Sequence, residues 1–177
     1  MMEGRKEADM DQSALLEGVG SGTLGRLVMA RIPIGVDLLE AIHELVRRER
    51  IQEGLILMGI GALQKAAFRN LKTFPTAYPI GPKDRLYFDV QGPLELLSLS
   101  GYVVPREGKE PLVHAHFSAS TVKDGQVVVY GGHLGEGTIT FVKVAVAICI
   151  LEGMPMGKKW VEERKTEDLW VGSPDGL

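Results

Sequence analysis

The dipeptide Asp124-Gly125 constrains the fold of this chain more than any other short segment. Both central residues of a type I′ turn have a positive φ, so an Asp-Gly pair between two β-rich runs predicts a tight hairpin. With these two residues as the loop, Lys123 faces Gln126. Counting outward along both strands then places His116 directly opposite His133.

Three of the chain's four histidines lie in this hairpin, at His114, His116 and His133. Directly opposed residues have Cβ atoms about 4.5–5.5 Å apart, and a diagonal neighbour on the same face is about 7–8 Å away. His114 is such a neighbour, because it lies two residues from His116 along one strand. The turn therefore predicts that the three imidazoles converge on one face of the hairpin.

This convergence predicts a metal site. Neutral imidazole binds zinc, copper, iron and nickel, and three protein ligands with an open fourth position are typical of a reactive zinc centre. We expect one divalent ion, zinc, bound through His114, His116 and His133, with water or a small anion completing the shell and the metal open to a small-molecule ligand. The alternative is a group of surface histidines. A bulge at Gly131-Gly132 would also turn His133 to the other face of the strand.

Composition predicts one folded domain without disulfides. A chain of 177 residues with a single cysteine, Cys149, is long enough to bury about 70% of its unfolded surface without cross-links. Its 20 basic and 23 acidic residues argue against a broad electrostatic attraction to nucleic acid. The charged N-terminus lacks the apolar core of a signal peptide, and no apolar stretch is long enough to cross a membrane. We therefore expect a cytoplasmic protein.

The pattern along the chain predicts an α+β domain dominated by antiparallel strands, with one helix at Val36–Arg50. Residues 1–22 are expected to form a flexible arm, residues 23–152 the domain, and residues 153–177 a charged tail in which Trp160 and Trp170 pack back. Strands are expected at Arg26–Ile32, Gly54–Ile60, Lys65–Phe74, Arg85–Gln91, Leu94–Val104, the hairpin Leu112–Leu134, and Thr138–Leu151.

Face alternation predicts a polar pocket around the histidines. The apolar residues between them, Val113, Ala115 and Phe117, would face the core, and the histidines would face away from it. The preceding strand should add Ser98, Ser100 and Tyr102 to the same polar face.

Two further titratable residues allow alternatives. Glu95, near the start of the serine-bearing strand, either orients a histidine or is solvated, and we expect the second. His43, at the edge of the helix's apolar stripe, is expected to be a surface histidine with no special role.

The run from Arg26 through Glu152 resembles the plant-and-prokaryote-conserved (PPC) domain in its stand-alone prokaryotic form. The segments that carry the resemblance occur in the family's order: DLLEAI at Asp37–Ile42, GIGAL at Gly59–Leu63, GPLELLSLSGYV at Gly92–Val103, HAHFS at His114–Ser118 and YGGHL at Tyr130–Leu134. The resemblance implies an α+β fold with a curved antiparallel sheet, assembled as a homotrimer. Long apolar segments that one helix is too small to cover agree with assembly.

The resemblance implies metal binding more than DNA binding. Plant members carry AT-hooks and bind DNA, but an AT-hook needs an Arg-Gly-Arg-Pro core, and this chain has only Gly4-Arg5-Lys6. Plant members also generally lack the histidines. The alternative function is a DNA-binding or transcription-associated regulatory protein, which is an argument from fold alone. A cupin is disfavoured because no glutamate follows His116 closely, and no enzyme activity is claimed.

Overall fold

The structure, a computed structural model, describes Leu16 and residues 18–172. Most of the expected N-terminal arm, 1–22, and the end of the expected C-terminal tail lie outside the described residues.

The described residues form one α-helix and eight strands. The helix α1 is Leu38–Glu49, and a short 3-10 turn lies at Pro82–Asp84. The strands are β1 (Thr23–Pro33), β2 (Gly54–Leu71), β3 (Arg85–Arg106), β4 (Lys109–Lys123), β5 (Gln126–Leu134), β6 (Ile139–Glu152), β7 (Met156–Val161) and β8 (Thr166–Val171). This confirms the mainly antiparallel sheet with a single helix. Within the described range, no helix has the length and apolar character needed to span a membrane.

The main sheet is antiparallel and closes on itself. Its strand order is β1-β6-β2-β3-β4-β5, with an additional pairing between β5 and β2. In that pairing Phe68 faces Leu134, and Arg69 faces His133. The first part of β2 pairs instead with β6. The far end of β2 is thereby brought beside the histidine hairpin.

Helix α1 packs its apolar stripe against the inside of the curved sheet. In the sequence, Asp37 stands three residues before Glu40, the spacing of a helix capping box. In the structure Asp37 caps the helix by accepting a hydrogen bond from the Glu40 backbone N–H at 3.0 Å. Leu38, Ile42 and Val46 are buried and belong to the main core, which also contains the stacked rings of Phe68 and Phe117. The helix predicted at Val36–Arg50 is therefore confirmed, beginning two residues later.

Two pairs of predicted strands are single long strands in the structure. The segments Gly54–Ile60 and Lys65–Phe74 merge into β2, which ends at Leu71, three residues earlier than predicted, and β3 continues through Gly92-Pro93. Two residues of β3, Gly92 and Pro93, face only Gln64 of β2, which is a β-bulge. Proline has no N–H to donate to a neighbouring strand, so the bulge allows the pairing to continue on both sides.

The C-terminal segment, expected to be a charged tail, contains the hairpin of β7 and β8. Met156 packs with Val104 and Leu151 in a second apolar cluster. Val104 follows the main-core residue Val103, so this cluster lies on the opposite face of β3. Trp170 packs over Gly157 within this hairpin, whereas Trp160 is 59% exposed.

The closure of the sheet is held by the side chain of Thr138, which is fully buried. Its hydroxyl accepts a hydrogen bond from the Ala67 backbone N–H at 3.1 Å and donates to the Gly135 carbonyl at 3.1 Å. Ala67 directly precedes the β2 residues that pair with β5. Thr138 therefore ties the end of β2 to the connection between β5 and β6.

Replacing Thr138 with valine is expected to lower the free energy of unfolding by about 1–3 kcal/mol, because the Ala67 N–H would be buried without this acceptor. Urea denaturation measures the change. Thr166→Val is the matched control, since Thr166 is exposed and should shift the value by less than about 0.5 kcal/mol. Equal effects of the two substitutions would contradict this role of the buried hydroxyl.

Candidate metal centre

The Asp124-Gly125 turn forms as predicted, with φ values of 52° and 75°. Pairing is continuous from Lys123 opposite Gln126 to His116 opposite His133. No register shift occurs at the two glycines in this pairing. The predicted register of the histidine hairpin is confirmed.

The two glycines lie against the side chain of Asn70. The Asn70 amide donates to the Gly131 carbonyl at 2.9 Å. A Cβ at Gly132 would overlap the Asn70 carboxamide oxygen. Gly132 therefore leaves room for this side chain where β2 approaches β5 at the closure of the sheet.

The three imidazoles meet on the face of the hairpin that points away from the main core. The Nε2 atoms of His114 and His116 are 3.2 Å apart, and the two rings are nearly parallel. The ring of His133 stands edge-on to both, with centroid distances of 4.8 Å to His114 and 5.1 Å to His116. One potential ligand atom from each residue lies within 4.8 Å of the other two.

Strand β3 supplies the neighbouring polar residues, as face alternation predicts. Tyr102 lies opposite His114 and stacks on its ring at 5.0 Å, and Ser100 lies opposite His116. Glu95 is exposed and faces Ser120, and its carboxylate makes no hydrogen bond to a histidine in the described structure. The expectation that Glu95 is solvated agrees with this position.

Burial keeps the three imidazoles uncharged. It lowers the pKa of His133 to about 3 and the pKa of His114 to about 4, and it also lowers the pKa of His116 from its usual 6.5. The positive charge of Arg69 lowers the pKa of each histidine further, because it opposes protonation nearby. At neutral pH the cluster therefore offers neutral nitrogen atoms, the form that binds metal ions.

Two arginines in the site, Arg69 and Arg85, were not predicted from the sequence. Together with Asn70, Leu71 and the three histidines, they line a cleft of about 470 Å³. Arg69 arrives through the pairing of β2 with β5, and Arg85 through its pairing with Leu71. The alternation Lys65, Ala67, Arg69 indicates which face Arg69 occupies, but no local signal in the sequence indicates which strand it meets.

The fourth histidine lies apart from the cluster. His43 is half-buried on α1, where Glu110, Arg47 and Arg106 are among its charged neighbours. Among the described residues, the only group of three or more histidine, cysteine or acidic side chains suited to hold a metal ion is that of His114, His116 and His133.

Comparison with known families and structures gives a consistent result. The family described as the Plants and Prokaryotes Conserved (PCC) domain matches residues 19–152. A metal-containing protein from Archaeoglobus fulgidus has a similar structure, with a TM-score of 0.64 and 27% identity, over 85% of this chain and 96% of that one. A PPC protein from Pyrococcus horikoshii is 29% identical with a TM-score of 0.61, over 86% of this chain and 96% of that one.

Other similarities are more limited. The bifunctional protein GlmU of Synechococcus sp. (strain JA-3-3Ab) is 28% identical over 123 residues, which are 70% of this chain but 17% of that protein. The chain thus spans less than a fifth of the curated relatives it matches. Two structural neighbours for which DNA binding has been proposed are 15% and 22% identical, so they show a common fold alone.

The low histidine pKa values predict a specific pH dependence for the metal-free protein. The unfolded chain takes up protons near pH 6.5, whereas folded His114 and His133 do so near pH 4 and pH 3. Stability should therefore fall as the pH drops from about 6.5 toward 4. NMR titration measures the pKa of each imidazole in the folded protein and in the urea-unfolded reference, and the difference between the two gives this change in stability. Titration of His133 at its unfolded value would contradict its burial.

Proposed function

Since this chain belongs to the Plants and Prokaryotes Conserved domain family, we propose that it binds one divalent metal ion, zinc, through His114, His116 and His133. The observation that carries the proposal is the convergence of three uncharged imidazoles on one face of a rigid hairpin. The 27% identity to the metal-containing protein of Archaeoglobus fulgidus supports it.

Two of the three donor atoms are spaced as in a tetrahedral site. Zinc–nitrogen bonds of about 2.0–2.1 Å place two ligand nitrogens about 3.3–3.4 Å apart in a tetrahedron. The Nε2 atoms of His114 and His116 are separated by 3.2 Å, close to that distance. Two neutral nitrogens at this distance must share one proton as a hydrogen bond or one metal ion between them, and His133 adds a third donor.

The protein would hold the ion with one coordination position open to the cleft. A divalent ion held by three imidazoles acts there as a Lewis acid. Tyr102 stacks on His114 and restricts the rotation of its ring. Because none of the described residues that line the cleft is placed as a general acid or base, the proposal is metal binding with an exchangeable ligand, and no catalysed reaction is assigned.

DNA binding is the weaker alternative. The neighbours for which it has been proposed share the fold at 15% and 22% identity. The chain has a net charge of −3 and lacks the AT-hook core of the plant proteins. No observation on this chain favours a nucleic-acid ligand over a small molecule in the cleft.

The assembly we propose is a homotrimer. Large apolar side chains remain exposed on β1, β2 and β3, including Met29, Leu57, Ile60 and Leu97. Large exposed apolar surfaces are typical of subunit contacts. Neighbouring copies would cover the segments that the single helix leaves open.

Replacing His116 with alanine is expected to weaken metal binding by more than about tenfold, because one of the three ligands is lost. The fold should remain intact, since His116 lies on an exposed face of the hairpin. Mass-spectrometric metal analysis of protein purified without a histidine tag measures the content, about one zinc per chain in the parent. His43→Ala is the matched control and should bind normally. Equal metal content in the His116→Ala and His43→Ala variants would contradict the proposal.

The trimer proposal predicts a solution mass of about three chain masses at all practical concentrations. Light scattering coupled to size-exclusion chromatography measures it, with dilution testing whether the assembly dissociates. A stable monomer would show that the exposed apolar residues serve another purpose.

A further inference from the structure

The cleft beside the histidines contains two arginines on one face of the sheet. Arg69 faces His133 across the pairing of β2 and β5. Arg85 faces Leu71, which lies two residues from Arg69 and therefore points to the same side. Both arginines line the cleft of about 470 Å³ that contains the three imidazoles.

Neither arginine has an acidic partner in the described part of the chain. The ion pairs there use Arg26, Arg47, Lys65 and Arg164 instead. Arg69 is nevertheless partly buried, and both this burial and the nearby charge of Arg85 lower the pKa of its guanidinium. Because neither guanidinium forms an ion pair within the described residues, the two groups leave a positive potential in the cleft.

The other charges around the site do not cancel this potential. Lys158 acts on His114 with a positive charge, and Asp168 with a negative one. Asp168 is already paired with Arg164. The histidines are neutral ligands, so a divalent ion bound to them would keep its full charge and add to that of the arginines.

We propose that the cleft binds a small ligand that carries a carboxylate or phosphate group. One anionic oxygen would complete the coordination of the metal ion, and the guanidinium groups of Arg69 and Arg85 would bind the remaining oxygens. Guanidinium binds such oxyanions through paired, charge-assisted hydrogen bonds. The size of the cleft lies within the range of about 300–1,000 Å³ typical of small-molecule sites.

The contact between the ligand and the metal ion rests on the proposed function, and the second contact rests on Arg69 and Arg85. The arginine contact does not require the metal, so the two parts can be tested separately. A different occupant of the cleft is also testable. If a carboxylate of a neighbouring copy of the chain binds there, Arg69 is a subunit contact, and replacing Arg69 would change the assembly.

The experiment uses the full chain loaded with cobalt(II), whose visible spectrum reports changes in the coordination shell. The protein is titrated with sodium acetate and with inorganic phosphate at constant ionic strength, and with acetamide as an uncharged probe. We expect saturable spectral changes with acetate or phosphate and none with acetamide. The anion that binds more tightly identifies the ligand class as carboxylate or phosphate.

Arg69→Gln is expected to weaken anion binding at least about tenfold without changing the cobalt content, and Arg85→Gln should weaken it as well. Arg31→Gln is the matched control, because Arg31 is an exposed arginine on the edge strand β1. Unchanged anion affinity in both cleft variants, or no spectral response to either anion in cobalt-loaded protein, would overturn the inference.

Two outcomes separate this inference from its premises. If cobalt does not bind, the proposed metal function has failed. The same anions are then titrated into metal-free protein, and the NMR signals of Arg69 and His133 are followed. A saturable chemical-shift change that is lost in Arg69→Gln supports the arginine contact. The absence of any chemical-shift change overturns the arginine contact. If Arg69→Gln changes the solution mass while anion binding is unaltered, the arginine is a subunit contact and the inference is wrong.

Discussion

The left-handed turn at Asp124-Gly125 is the constraint on which the site depends. Its two positive φ values allow a two-residue loop, and a two-residue loop leaves only one register for β4 and β5. Side chains alternate between faces, so a shift of one residue would move His133 to the opposite face from His114 and His116. The meeting of the three imidazoles is thus a consequence of the turn, because each histidine lies no more than ten residues from it along its strand.

The hairpin alone therefore sets the arrangement of the three histidines, and β2, which is distant in sequence, adds the remaining residues of the site.

Closure of the sheet is what adds the rest of the site. The pairing of Arg69 with His133 brings β2 beside the histidine hairpin, and the Thr138 hydroxyl holds that junction. Gly132 leaves room there for the Asn70 side chain. A cleft with both imidazole and guanidinium groups exists only because these two strands meet.

The parts of the structure that sequence predicts are those governed by local rules. Asp37 caps the helix where the pattern indicates, the hairpin register is as counted from the turn, and Tyr102 and Ser100 share the polar face. The parts that it misses depend on long-range pairing. Gly92-Pro93 suggests a strand end, but a bulge against Gln64 absorbs it, and the position of Arg69 follows from the closure of the sheet, for which no short motif exists.

The central claim is that one metal ion lies among His114, His116 and His133. X-ray diffraction from crystals of zinc-loaded protein, recorded on both sides of the zinc absorption edge, tests it most directly. The account predicts one anomalous peak per chain, about 2.0–2.1 Å from a nitrogen atom of each histidine. A zinc peak elsewhere in the chain, or no peak at these three residues, would contradict the account.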